Sequence, residues 1–552
     1  MSYAGQVFTI PCSLGGLNGN RNESLIPATD MIAGTRNINL HEGVRRKRGG
    51  TAHINSTTID SGQRIMGIYD YLKPAGTQYV VFATTNGKVW KTSVDVIKTF
   101  TGTAKHVHFS QFAGELYACN GYDLPGKWDG ATWTDLSAVP TDWTTSKPKY
   151  MITHGKGNST RNWAFGCAST PYNIYVSPDG DGDDFSNTNV TTLNVDTKDG
   201  YGLMGGVVFI DKLIMFSKTR PWIIDDADTS VANWGYSEAN WEGGVAHQRL
   251  IIPTQNDVVC MMENGEIYSA IAAQQYGDYQ AASLTRQSFI HNWIKDNVLL
   301  SYINDFHGIY DSTMRAIKIF VVRTGKTVVD TCLVYYIDRG PQAGWMIHDN
   351  QVNPSGYDAS CSASIYVGAG NYQIYTGDYS GFIWGLEQSG RHDQALAFNS
   401  GFKTTHLDLG APRLQKHFRR GRVICDPQGT ETINVKVWID ETQQETPSGA
   451  WANATVYAVG AIVTSGAKIY ECITAHTSAT ANDQPGSGTN WTVYWIQHRY
   501  SMTVATGTKD QTFDIGNTGK RIQIEAYDNT AAEDFIIENV LIDFKVTGAR
   551  PS

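Results

Sequence analysis

From about residue 60 to 400 the chain returns repeatedly to one pattern: a short apolar strand, a polar turn usually holding a glycine, and a second strand with alternating large side chains. The clearest instances are 79-YVVFATTNGKVWKT-92, 107-VHFSQFAGELYACNG-121, 207-VVFIDKLIMFSKTRPWII-224, 258-VVCMMENGEIYSA-270 and 372-YQIYTGDYSGFIWGL-386. Each reads as a β-hairpin. In NGKVW, AGELY, NGEIY and SGFIW the glycine stands two residues before an apolar-aromatic pair, so turn and inward side chains share one register. Many short antiparallel units must hide their edges, and radial repetition does so. The pattern predicts an all-β fold with a β-propeller of about five to seven blades over 61–425. An irregular double-sheet sandwich is the competing architecture.

Length and composition agree. A chain of 552 residues exceeds one ordinary core, and its 55 glycines suit turns between many strands. After Asp426 the segments 431–440, 499–507, 512–516, 519–528 and 535–548 alternate with period two, which predicts a small antiparallel sandwich-like platform over 426–447 and 498–552. Residues 448–497 read as an insertion within it, and residues 1–60 as a lead segment packing on the platform side.

The eight cysteines are dispersed without a CxxC pair, so buried thiols in a reducing compartment are expected rather than disulfides or zinc. No apolar run approaches membrane-spanning length and the first residues lack a signal-peptide pattern, so a soluble, unsecreted chain is expected. A formal net charge of -9 argues against a dedicated nucleic-acid binder, while acidic walls suit a channel along which DNA slides.

Two basic clusters stand out against that charge. Arg45, Arg46, Lys47 and Arg48 precede the propeller region; Arg413, Lys416, Arg419, Arg420 and Arg422 follow it. On an extended segment alternate side chains face opposite ways, which splits the quartet. Both clusters are therefore expected to join subunits or dock a neighbouring protein through acidic partners.

The acidic run 177-SPDGDGDDF-185 partly matches a calcium loop through Asp179, Asp181 and Asp183, but Asp184 replaces the glycine at position six and Val190 the glutamate at twelve, so a solvated turn is expected. Asp225, Asp226, Asp228, Glu238 and Glu242 are carboxylates of the type used in glycoside hydrolysis, without the spacing information that would pair them. In 106-HVH-108 strand spacing puts both rings on one face, expected to be a polar strand face. No nucleophile-elbow, zincin, P-loop or dinucleotide fingerprint occurs. No catalytic residue, metal or cofactor is predicted.

In the insertion, Trp451, Tyr457, Gly460, Val463, Tyr470, Pro485 and Trp491 follow the order W, Y-x-x-G-x-x-V, G-x-x-Y, P-G, W. This resembles the three-stranded carbohydrate-binding modules attached to chitinases. The resemblance implies sugar stacking on Trp451, Tyr457, Tyr470 and Trp491; the same four rings equally suit the core of so small a unit. Where chitin-binding members carry a tandem tryptophan pair, this chain has Thr474 and Ala475.

The order 14-LGGLNGN-20, Ile26-Pro27, 37-NINLHEGVRRKRGGT-51 and the strand 65-IMGIYDY-71 resembles the tail nozzle or tail tubular proteins of short-tailed bacteriophages. That resemblance implies a virion tail component, made in the host cytoplasm, that forms a hexameric β-propeller channel below the portal. Its implied partners are other copies of itself, the tail adaptor, tail fibres or other tail components, and double-stranded DNA held and ejected without sequence specificity. A host surface glycan is a further implied partner through the insertion. Two readings compete with this non-enzymatic conduit: a polysaccharide-degrading propeller enzyme and a glycan-binding adhesin.

Overall fold

The computed structural model describes residues 5–91, 95–155, 159–228, 230–241, 243–276, 282–349, 355–428, 431–444, 449–459, 461–466, 468–479, 481–498, 501–504, 509–531 and 533–547. The fold is all-β and divides into two compact units, one of residues 49–341 and 348–389 and one of 1–48, 342–347 and 390–552.

The first unit is propeller-like. Small antiparallel sheets follow one another along the chain, beginning with strands Ile65–Leu72, His108–Phe112, Tyr150–His154, Gly205–Phe209, Ile251–Pro253, His307–Asp311 and Cys361–Gly368. Each of these first strands contacts the next, and Cys361–Gly368 contacts Ile65–Leu72, which closes the series into a ring. The last sheet gains its outer strand from the far end of the sequence, where Gly50–His53 pairs with Ile383–Gln388. Apolar side chains fill the spaces between neighbouring sheets. Tyr71, Val81, Val89, Leu116 and Trp128 join the first two, and Ile65, Phe82, Cys361, Ile365 and Ile383 join the last to the first. Each fully buried large apolar side chain contributes about 1.5–3 kcal/mol, so every sheet depends on both neighbours.

All five sequence-read hairpins form antiparallel pairs. The turn glycines of four of them, Gly87, Gly114, Gly265 and Gly381, have φ of 76°, 84°, 84° and 81°, a left-handed conformation that a Cβ disfavours. The register is not uniform, however. Gly114 turns between the first and second strands of its sheet, and the other three between second and third.

The second unit holds two larger antiparallel sheets. In one, the order is Ile38–Asn39, Arg45–Lys47, Ile536–Thr547, Gln415–Asp426, Asp510–Gly519, with Gln6–Pro11 also pairing with Ile536–Thr547. In the other it is Ser400–Lys403, Ile522–Asp528, Glu431–Ile439, Thr442–Gln444, with Ser501–Val504 also on Glu431–Ile439. Alternation from Val540 onward buries Val540, Ile542, Phe544 and Val546, and a register shift before it lets Ile537 also face inward.

The boundaries differ from the expected ones. The ring unit starts at 49 rather than 61, because Gly50–His53 completes its last sheet, and ends at 389 rather than 425. Residues 415–426, whose charge dominates their sequence, form a long strand of the other unit. All eight cysteines are buried free thiols, and among the described residues no helix is long and apolar enough to cross a membrane.

Candidate functional site

The insertion folds as its own small module. Ile462–Ser465, Lys468–Cys472 and Trp495–His498 form a three-stranded sheet, and Val456–Tyr457 pairs with His476–Thr477. Its core is Tyr457, Val463, Tyr470, Cys472 and Trp495, with Trp451 and Trp491 half-buried against it. Tyr457 Oη accepts from the Ala452 N–H at 2.8 Å and donates to the Ala452 carbonyl at 3.2 Å. The Ser478 hydroxyl donates to the same carbonyl at 2.8 Å and accepts from the Thr455 N–H at 3.0 Å, so the turn before the first strand is held from both sides. The P-G step is also accounted for: Gly486 has φ 81°, and a Cβ there would lie 2.0 Å from Tyr470 Oη. Gly460 lies outside the described residues.

The module buries two of the four rings expected to stack on sugar and leaves Trp451 and Trp491 half-buried. Tyr457 and Tyr470 are 6% and 1% exposed, so their faces are spent on the core, and Trp491 stands edge-on to Tyr470 at 5.6 Å. The sequence reading missed a stacked pair: the His476 and Tyr494 rings lie 4.1 Å apart and 21° from parallel, both half-buried like Trp451 and Trp491. Exposed Ile473 and Val493 adjoin them in sequence or backbone pairing, the Ile473 N–H donating to the Tyr494 carbonyl at 2.8 Å. Tyr494 ends the short helix Trp491–Tyr494 and Trp495 opens the strand that follows. Trp495 turns inward, 1% exposed, and Tyr494 packs half-buried against the same core.

The first basic cluster also departs from expectation. Arg45, Lys47 and Arg48 are each 0% exposed, and their partners are intramolecular. The Lys47 ammonium sits 2.6 Å from Asp528 and 2.7 Å from the Thr530 carbonyl, and burial lowers its pKa against the raising effect of Asp528. The Arg48 guanidinium meets both oxygens of Asp393 at 3.0 and 2.6 Å, bonds Asn37 Oδ1 at 2.9 Å and lies 3.7 Å over the Phe398 ring. Arg45 donates to the Thr29 carbonyl at 2.6 Å and covers Phe402 at 4.4 Å. Arg46, pointing the other way, shares Asp534 with Arg391 at 2.6 and 2.9 Å. These three buried residues hold their own unit together and offer no exposed face for docking. The glycines of GGLN have a packing reason too: a Cβ on Gly15 would meet the Thr29 carbonyl oxygen at 2.0 Å, and one on Gly16 the Ala343 oxygen at 2.2 Å.

In the second cluster Lys416 is 0% exposed, its ammonium donating to the Ala411, Leu414 and Lys520 carbonyls. Arg413, Arg419 and Arg420 are exposed and Arg422 is half-buried. A register shift between Phe418 and Arg420 lets Arg419 and Arg420 both face outward. Arg420 and Arg422 pair with Asp514 and Asp510 on the adjacent strand.

The acidic residues are similarly engaged. Asp179 pairs with Arg161 at 2.6 Å and Asp183 with Lys127 and the Tyr117 hydroxyl, while Asp181 accepts from the Asp183 N–H. Asp226 and Asp228 line a cleft of about 350 Å³ with His154, Arg161 and Trp234; Asp226 lies 3.0 Å from His154, and Asp228 accepts from the Ser230 N–H and Asn233. Glu238 is held by Arg220 and Lys198, Asp225 is exposed at a strand end, and Glu242 lies outside the described residues.

Residues 450–492 match the model of carbohydrate-binding module family 5/12, so the chain carries such a module there. No curated protein matches the chain. Similarity to solved structures includes YCF48 from Cyanidioschyzon merolae, at 9% identity over 61% of this chain and 98% of that chain with a TM-score of 0.33. It also includes the Pan2 WD40 domain of Neurospora crassa, at 9% identity over 62% and 98% with a TM-score of 0.35. Likeness at that level carries no inference about this chain. Nothing in these comparisons ties it to phage tail nozzle proteins.

Proposed function

We propose that the chain is a polysaccharide-binding protein, non-enzymatic, in which the inserted module engages sugar rings and the propeller-like unit is a rigid body of seven blades closed by Gly50–His53. The two sheets of the other unit serve as a sandwich-like platform carrying the module. The match of 450–492 to a carbohydrate-binding family supports this reading, and the half-buried His476–Tyr494 stack with half-buried Trp451 and Trp491 would supply the aromatic edge for the apolar face of a pyranose. The bound polymer is taken to be a β-linked polysaccharide, as for the chitinase-attached modules the insertion resembles.

Retention of the purified chain on insoluble chitin and cellulose, and on an array of soluble glycans, tests it. The full chain is expected to be retained on at least one polymer and the chain lacking 449–498 on none. Tyr494→Ala should weaken retention about three- to tenfold, the range of a lost aromatic contact. Equal retention with and without the module would remove it from the account.

A second reading, a hexameric tail conduit for DNA docked to an adaptor protein, is supported by the N-terminal motif order alone. The exposed Arg413, Arg419 and Arg420 would then serve as the docking charges. Native mass spectrometry should give a six-fold ring; a persistent monomer sinks this reading and leaves the first intact.

A further inference from the structure

First strands of the ring unit line an open cavity of about 200 Å³, among whose walls are Met66, Val107, Arg249, Ile251, His307 and Ser362. Five of the sheets contribute to it at the leading ends of their first strands, so it lies at the centre of the ring. Its chemistry differs from that of a filled apolar core. Arg249 spends donors on two main-chain oxygens, the Ser360 carbonyl at 3.1 Å and the Asn304 carbonyl, and both acceptors are neutral. The nearby Arg64 is already matched by Asp305 at 2.7 Å. One guanidinium charge is thus left without a carboxylate of its own.

The surrounding groups answer to that charge. Burial, and after it Arg249, pushes the His247 pKa down to about 4 and lowers those of His106 and His307 well below the ordinary imidazole value. Arg249, lowered to about 10 chiefly by burial, stays cationic at neutral pH. His307 is 2% exposed, stacked 4.7 Å from Phe320, with Nδ1 3.5 Å from the Asp305 carbonyl. That carbonyl selects the tautomer protonated on Nδ1, so Nε2 is an acceptor, and it has no hydrogen-bond partner. The Ser362 hydroxyl, also on the lining, is buried without a partner as well. Buried polar atoms left so are destabilising, and a ligand supplying the missing partners would relieve that cost.

We propose that this cavity binds a small sugar acid, its carboxylate on the Arg249 guanidinium and its hydroxyls on His307 Nε2 and Ser362 Oγ. A single excess positive charge calls for a monoanion, and an imidazole acceptor beside it calls for a hydroxyl donor on the same molecule. Sulfate lacks that donor and hydrogen phosphate carries a second charge, while dihydrogen phosphate meets both conditions but lacks a carbon skeleton to fill the cavity. A carbon skeleton of monosaccharide size fits the volume. The site is independent of the inserted module and would survive the loss of its binding.

Calorimetric titration of the full chain with sodium glucuronate, sodium gluconate, glucose and inorganic phosphate tests it. The two sugar acids should bind with one site per chain and outcompete both others at least tenfold. Arg249→Gln should weaken glucuronate at least tenfold, and should that variant not fold, Ser362→Val and His307→Phe should each weaken it at least threefold. Failure of both acids to bind, equal binding of glucose, preference for phosphate, or undiminished affinity in the variants overturns the proposal. Displacement of glucuronate by a uronate-terminated oligosaccharide assigns the source as a chain end; no displacement assigns it as the free acid. Polysaccharide retention measured in parallel keeps the module's behaviour separate.

Discussion

Arg48→Ala is expected to destabilise the unit of residues 1–48, 342–347 and 390–552 by about 3–5 kcal/mol, the cost of removing one member of a buried ion pair. The guanidinium meets Asp393 bidentately, takes Asn37 with its Nε and covers the Phe398 ring, all with no exposed surface. Truncation leaves a cavity on Phe398 and strands the 3% exposed Asp393 carboxylate without its cation. Hydrogen exchange along strand Ile536–Thr547, which pairs with Arg45–Lys47, reports that unit within the full chain. Protection should fall in Arg48→Ala and recover in part in the double variant Arg48→Met, Asp393→Leu, where neither position of this pair carries a charge. A loss below about 1 kcal/mol in the single variant would show the pair to be dispensable, at odds with the behaviour of buried pairs.

Trp495→Ala is expected to unfold the inserted module and leave the other parts of the chain standing. The indole is 1% exposed, packs edge-on to Tyr457 at 4.9 Å and His476 at 5.3 Å, and occupies the middle of a core with few other large members. Large-to-small changes of this kind cost about 3–5 kcal/mol, as much as a unit this size has to spare. Limited proteolysis should cut within 449–498, and retention on polysaccharide should vanish with it. Thr492→Ala, at an exposed position of the same module, is the control and should do neither. An intact, binding-competent module after loss of Trp495 would mean that the core lies elsewhere.

The local grammar of the fold was legible. Every hairpin read from an apolar strand, a Gly turn and a second strand is a hairpin, because turn and pairing partner lie within about fifteen residues and the glycine's positive φ is a property of that turn alone. The module was legible for the same reason, since its aromatic spacing and its P-G step serve contacts made inside some fifty residues. Its binding face was not. Tyr457 and Tyr470 look like stacking rings in a list of letters, and only the curl of the three strands sends them inward and leaves Tyr494 and His476 half-buried at the edge of that core.

Charge was the least legible feature. The letters RRKR say nothing of Asp393, Asp528 and Asp534, which stand hundreds of residues later and turn a supposed docking patch into internal ties. Arg249 looks unremarkable in sequence until strands from five sheets bring His307 and Ser362 beside it.

By itself, then, the sequence determined the all-β class, the hairpins with their turn glycines, and the presence of a sugar-module insertion, all consequences of side-chain alternation and backbone torsion over short spans. The tertiary structure alone decided that Gly50–His53 closes the ring, that three of the four clustered cations are buried, and which rings face solvent. Strand pairing and charge compensation between distant segments depend on where the chain returns in space, and no short-range pattern encodes that.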